Sequence, residues 1–195
     1  MSFTRRLIGD IIGRLTCVAL LASLVAKVGQ MFIHWQFTDY FPMENIPLYI
    51  IGMIPTLLLL GYMIGFYKTE KSQILLVIVF AYQTVVNTLS AWADYNDPDI
   101  RGSVTIIESF VWIAYYAFLV FVTYKDFANS NLVRVVIAVM SIYVLIGSVT
   151  QLIALITIMP GEIGEIVAKI VDIVGHFCYC LAVFLIVPKY IEDKN

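Results

Sequence analysis

The stretch Glu165 to Cys180, EIVAKIVDIVGHFCYC, decides how this chain is read, because it sets four ionisable side chains into an otherwise apolar run. Glu165, Lys169, Asp172 and His176 stand at i, i+4, i+7 and i+11. On an α-helix these positions share one face. Extended to 163–187, the run is long enough to cross a hydrocarbon core of about 30 Å, for which about 20 helical residues suffice. The stretch is therefore expected to be a membrane helix with one polar face.

Five further runs of comparable length lie at about 9–33, 47–66, 73–92, 104–124 and 132–157. They lack the alternation of barrel strands, and only helices or closed barrels satisfy the backbone in lipid. An all-α integral membrane domain of six helices is the expected fold, as one unit over residues 1–195. Composition agrees: 61% of the 195 residues are hydrophobic and 13% are charged, with a mean hydropathy of +0.91. A net charge of -2 and scattered basic residues argue against nucleic acid as a partner. The bilayer, a second copy or a partner subunit are the expected partners.

Charge in the connections predicts orientation, since Lys and Arg are retained on the cytoplasmic side. Arg5, Arg6, Lys68, Lys71, Lys125, Arg134, Lys189 and Lys194 fall on one side. The other side carries Asp39, Glu44, Asp94, Asp97, Asp99 and Glu162 against Arg101. Both termini are expected in the cytoplasm, with three hairpins pointing outward. Thr4-Arg5-Arg6-Leu7-Ile8 has the look of a signal segment, but Lys27 interrupts the place for a cleavage site, so it reads as a retained span. The absence of an Asn-x-Ser/Thr sequon fits a bacterial inner membrane.

Within the spans, Pro55 removes a backbone hydrogen bond and should kink the second helix toward Gly52. The fifth run must tilt, or bend near Gly147 and Ser148. Two strips of small residues, Gly9 with Gly13 and Gly61 with Gly65, are candidate close-packing surfaces between the first two helices. Lys68, Lys71, Lys125 and Arg134 are candidate contacts for a cytoplasmic partner or lipid headgroups.

Polar groups inside a bilayer are costly and usually face protein or water. At about 1.5 Å per residue from the expected outer span ends, Glu108 lies at roughly 6 Å, Asn87 at roughly 8 Å, and Lys27 and Lys169 at roughly 9 Å. Gln83 and Asp172 lie near roughly 13 to 14 Å, and His176 near roughly 20 Å, without an expected charged partner. Four spans thus supply one layer in the outer half, in which Lys27 and Lys169 balance Glu108 and Asp172. One reading makes them ion pairs that fix helix order. The other makes them the lining of a polar cavity, with Asp172 and His176 exchanging protons or holding a cation.

Catalytic and cofactor motifs are missing. Ser148, Asp172 and His176 are the types of a hydrolase triad, but the elbow around the serine is absent and the depths do not match. Two histidines, His34 and His176, make no zinc pair, and there is no Walker or dinucleotide loop. Asp94, Asn96, Asp97 and Asp99 give only part of a calcium loop, since Pro98 breaks the pattern. Cys17, Cys178 and Cys180 lie in apolar runs and read as small buried hydrophobes. No metal, cofactor or catalytic residue is expected. The leading expectation is a non-enzymatic membrane subunit acting by self-association or partner binding, in membrane sensing, immunity or defence. The alternative is an ion or proton channel, or a secondary transporter that uses the polar layer.

Overall fold

The computed structural model describes residues 10–37, 46–65, 72–96, 104–125, 129–157 and 163–194. Among them are six helices and no strand: α1 (Ile11–Phe37), α2 (Ile46–Gly65), α3 (Ser72–Asn96), α4 (Val104–Tyr124), α5 (Ser130–Thr157) and α6 (Ile163–Lys194). Five are long and apolar enough to cross a membrane. The apolar part of α2, Tyr49–Gly65, is shorter than the other five, so the expectation of six comparable spans narrows to five and a shorter sixth. Elsewhere the helices outrun the apolar runs: α3 continues to Asn96 and α6 passes Pro188 to reach Lys194. α5 is one 28-residue helix through Gly147 and Ser148.

Local chemistry explains several of these ends. Asp10 accepts hydrogen bonds from the amides of Ile12 at 3.0 Å and Gly13 at 3.3 Å, capping α1. Asn129 does the same for α5 through the Leu132 amide at 3.0 Å. Inside the helices, the hydroxyls of Thr16, Thr84, Thr123, Ser141, Thr150 and Thr157 donate to carbonyls one turn back. That keeps polar side chains satisfied without water.

α6 is the hub of the bundle. It packs most extensively on α1, then on α5, and touches α4; α1 meets α2, α2 meets α3, and α3 meets α4. The result is a ring of α1, α2, α3, α4 and α6, with α5 laid on α6. The outer surface is apolar, with Val18, Val25, Ile74, Ile142 and Ile146 exposed, as a helix facing lipid requires.

The core is not spread evenly along the bundle. Its fully buried large side chains include Leu20, Met63, Leu76, Phe80, Leu119, Ile137 and Ile186. These come from the first halves of α1, α3 and α5 and the last parts of α2, α4 and α6. Polar contacts tie the same end together: Gln73 Nε2 donates to the Tyr124 carbonyl at 2.6 Å, and Ser130 Oγ to Glu192 at 3.2 Å. One half of the bundle is therefore sealed by apolar packing. The other half, where α1 ends and α6 begins, holds the polar residues.

Candidate functional site

The polar half is built around a close seam between α1 and α6. A Cβ at Gly175 would lie 3.1 Å from Ala26 Cβ and 3.6 Å from the Ser23 carbonyl oxygen, and one at Gly29 would lie 3.8 Å from Val171. At Gly175 a side chain would press on α1, whereas the distance at Gly29 is ordinary contact, so the close approach rests on Gly175. The seam brings Lys27 beside α6, with its Nζ 5.6 Å from the centre of the Tyr179 ring, inside the range of a cation–π contact.

Pro55 supplies the second element of the site. It has no N–H to give to the carbonyl of Ile51, four residues back. The Tyr82 hydroxyl, reaching over from α3, donates to that carbonyl at 3.2 Å. Its neighbour, the Gly52 carbonyl, accepts from Lys27 Nζ at 2.7 Å. The expected disturbance at Pro55 and Gly52 thus becomes two contacts that tie α2 to α3 and to α1.

Asp172 is the third element. Its Oδ2 lies 3.2 Å from Lys169 Nζ, and its Oδ1 lies 3.0 Å from His176 Nδ1. The same ring nitrogen is 3.0 Å from the Asp172 backbone oxygen. Both oxygens are acceptors, so Nδ1 carries the hydrogen and Nε2 faces away. His176, expected to lack a charged partner, has one a turn away. The depth scale separated the two residues, although their i, i+4 spacing keeps them in reach.

These elements enclose an open cavity of about 250 Å³ lined by Lys27 and Gln30 of α1, Tyr49 and Gly52 of α2, and Asp172 and His176 of α6. Tyr179 stands beside Lys27 and accepts a bond of 3.5 Å from Gln83 Nε2, which joins α3 to the same region. His176 also lines a second space, of about 30 Å³, together with Trp112, Tyr115 and Tyr116 of α4 and Ser141 of α5. That is roughly the share of one water molecule in the liquid. His176 therefore stands between a solute-sized cavity and a water-sized one.

Other expected members lie elsewhere. Glu108 is exposed and accepts from the Tyr143 hydroxyl at 3.2 Å, joining α4 to α5; it does not balance Lys27 or Lys169, because it sits on a different face of the ring. Asn87 is spent on its own helix, donating to the Gln83 carbonyl at 2.7 Å. Gly61 and Gly65 are exposed, with no atom within 4 Å of an added Cβ. The buried face of α2 carries Leu59, Tyr62 and Met63 instead. Gly13 is buried, and Gly9 lies outside the described residues. Arg134 pairs with Glu192 at 2.5 Å and Lys125 is exposed over the Tyr124 ring, whereas Lys68 and Lys71 lie outside the described residues.

Sequence reasoning missed Gln30, Tyr49, Tyr179 and Gly175. Pro55 was the available signal for this region, since the carbonyl it frees inside a membrane must find a donor from a neighbouring helix. Among the described residues no group of three or more His, Cys, Asp or Glu side chains could hold a metal ion. Comparison with known protein families, curated proteins and solved structures finds no match to this chain.

Proposed function

We propose that the protein is a secondary transporter or channel for a small solute or ion, with the cavity at Lys27, Asp172 and His176 as its binding region. One observation carries this reading: three helices direct charged and polar groups into one open cavity in the half of the bundle that the apolar core leaves unsealed. Structural ion pairing alone explains Lys169 and Asp172. It does not explain why Lys27, Gln30 and His176 face the same space. The charge bias of the connections supports placing the open half outward and both termini in the cytoplasm. The 20 residues of α2 span about 30 Å at 1.5 Å each, enough for a sixth crossing. The sealed half supports a carrier that must rearrange over a standing pore.

Ion, proton and solute flux into proteoliposomes tests the proposal, with wild type compared against Asp172→Asn and Lys169→Met. Flux in wild type that Asp172→Asn abolishes, in a protein of unchanged melting temperature, is the expected result. Flux no greater than that of empty liposomes refutes it. Such a null result, with an intact oligomer or a co-purifying partner, favours the non-enzymatic subunit instead. The observation behind that second reading is the open strip at Gly61 and Gly65, a surface on which another helix could pack closely.

A further inference from the structure

We infer that the occupant of this cavity is a small monovalent carboxylate, with Lys27 as its charge partner and Gln30 as a second donor; the inference rests on reading the cavity as a solute site. The one carboxylate among the described lining residues, Asp172, is already engaged by Lys169 and His176. An incoming cation would have to displace the chain's own ammonium group. Lys27 is in the opposite position. Among the described residues it has no carboxylate within ion-pair distance, and its contacts are the Gly52 carbonyl and the Tyr179 ring. An ammonium has three N–H donors, so Lys27 retains donor capacity toward the cavity. The Gln30 side chain has no hydrogen-bond partner among the described residues and lines the same space. The side chains of Lys27, Lys169 and Asp172 sum to one positive charge, which one carboxylate neutralises.

Size narrows the class. About 250 Å³ is several times the roughly 30 Å³ of a water, too much space for a bare halide and just under the roughly 300 Å³ at which drug-sized pockets begin. The Tyr49 ring lines the cavity beside Gly52, where an added Cβ would meet nothing within 4 Å. Carboxylate oxygens at Lys27 and Gln30 would thus leave a short apolar body against Tyr49 and Gly52. The acid could arrive from water or, with an acyl chain, from the bilayer.

The test is calorimetric titration of the purified full-length protein in detergent with propionate and with decanoate, using chloride and tetramethylammonium as controls. At least one acid should bind wild type, weaken tenfold or more in Lys27→Gln, and recover in Lys27→Arg. Propionate binding alone identifies a water-soluble acid; tighter decanoate binding identifies one drawn from the bilayer. Because Lys27→Gln also removes the cap on Gly52, Gly52→Leu is the second variant. It fills open space, so it should keep the wild-type melting temperature and lose the acid. Absence of acid binding to wild type, equal binding by a folded Lys27→Gln or Gly52→Leu, or binding of tetramethylammonium in place of the acids overturns the inference. Acid binding without flux removes the transport reading alone, and flux of another solute without acid binding removes this inference alone.

Discussion

Gly175→Ala is the sharpest test of the seam that forms the site. The new methyl would stand 3.1 Å from Ala26 Cβ, while carbon atoms pack best at about 3.5–4.0 Å. One helix must therefore retreat by several tenths of an ångström. Overpacking of this kind typically costs about 1–3 kcal/mol, against which alanine returns about 1 kcal/mol of helix propensity. Gly61→Ala is the matched control, since its methyl meets nothing within 4 Å and only the propensity gain remains. The two variants should differ by about 1–3 kcal/mol, or about 2–12 °C in melting temperature at roughly 2–4 °C per kcal/mol for a chain of this size. Melting of the purified protein in detergent, followed by intrinsic fluorescence, measures that difference. If Gly175→Ala melts with or above Gly61→Ala, the close approach of α1 to α6 is wrong. If Gly61→Ala instead destabilises, its strip is in contact with another helix.

Two further experiments test the contacts around this seam and at the sealed end. Tyr82→Phe should cost about 0.5–1.5 kcal/mol by leaving the Ile51 carbonyl without its donor, and that cost should vanish in a Pro55→Ala background, where the helix supplies its own N–H; an equal cost in both backgrounds refutes the pairing. Arg134 and Glu192 have side chains 40% and 38% exposed, so a double-mutant cycle should give a coupling of only about 0.2–1 kcal/mol that shrinks with salt, and a larger, salt-independent value would contradict this.

How far the sequence reaches here depends on which coordinate is asked for. Length and apolarity predicted each of the six described helices, because in lipid the backbone has few other ways to be satisfied. The depth scale put Lys27, Gln83, Lys169 and Asp172 in one layer, and of these Lys27 and Asp172 line one cavity. It gave position along the membrane normal and nothing about azimuth. Glu108 therefore looked like a partner for lysines that it does not meet, and its bond to Tyr143 was not foreseen. Glycine spacing failed for the related reason that close approach depends on which face meets a neighbour. Gly175 has no glycine four residues away, yet it makes the seam, whereas Gly61 and Gly65 have the motif and face outward.

The two contacts at Ile51 and Gly52 have a mechanical consequence. At the turn where Pro55 interrupts the hydrogen-bond ladder of α2, the helix is held from outside, by Tyr82 on one side and Lys27 on the other. A swing of the first segment of α2 about that turn would cost little of its own backbone bonding. It would release both side chains, and the release of Lys27 would return an ammonium donor to the cavity. Any such tilt of α2 would thereby be tied to the number of donors that the cavity offers, through a single missing N–H.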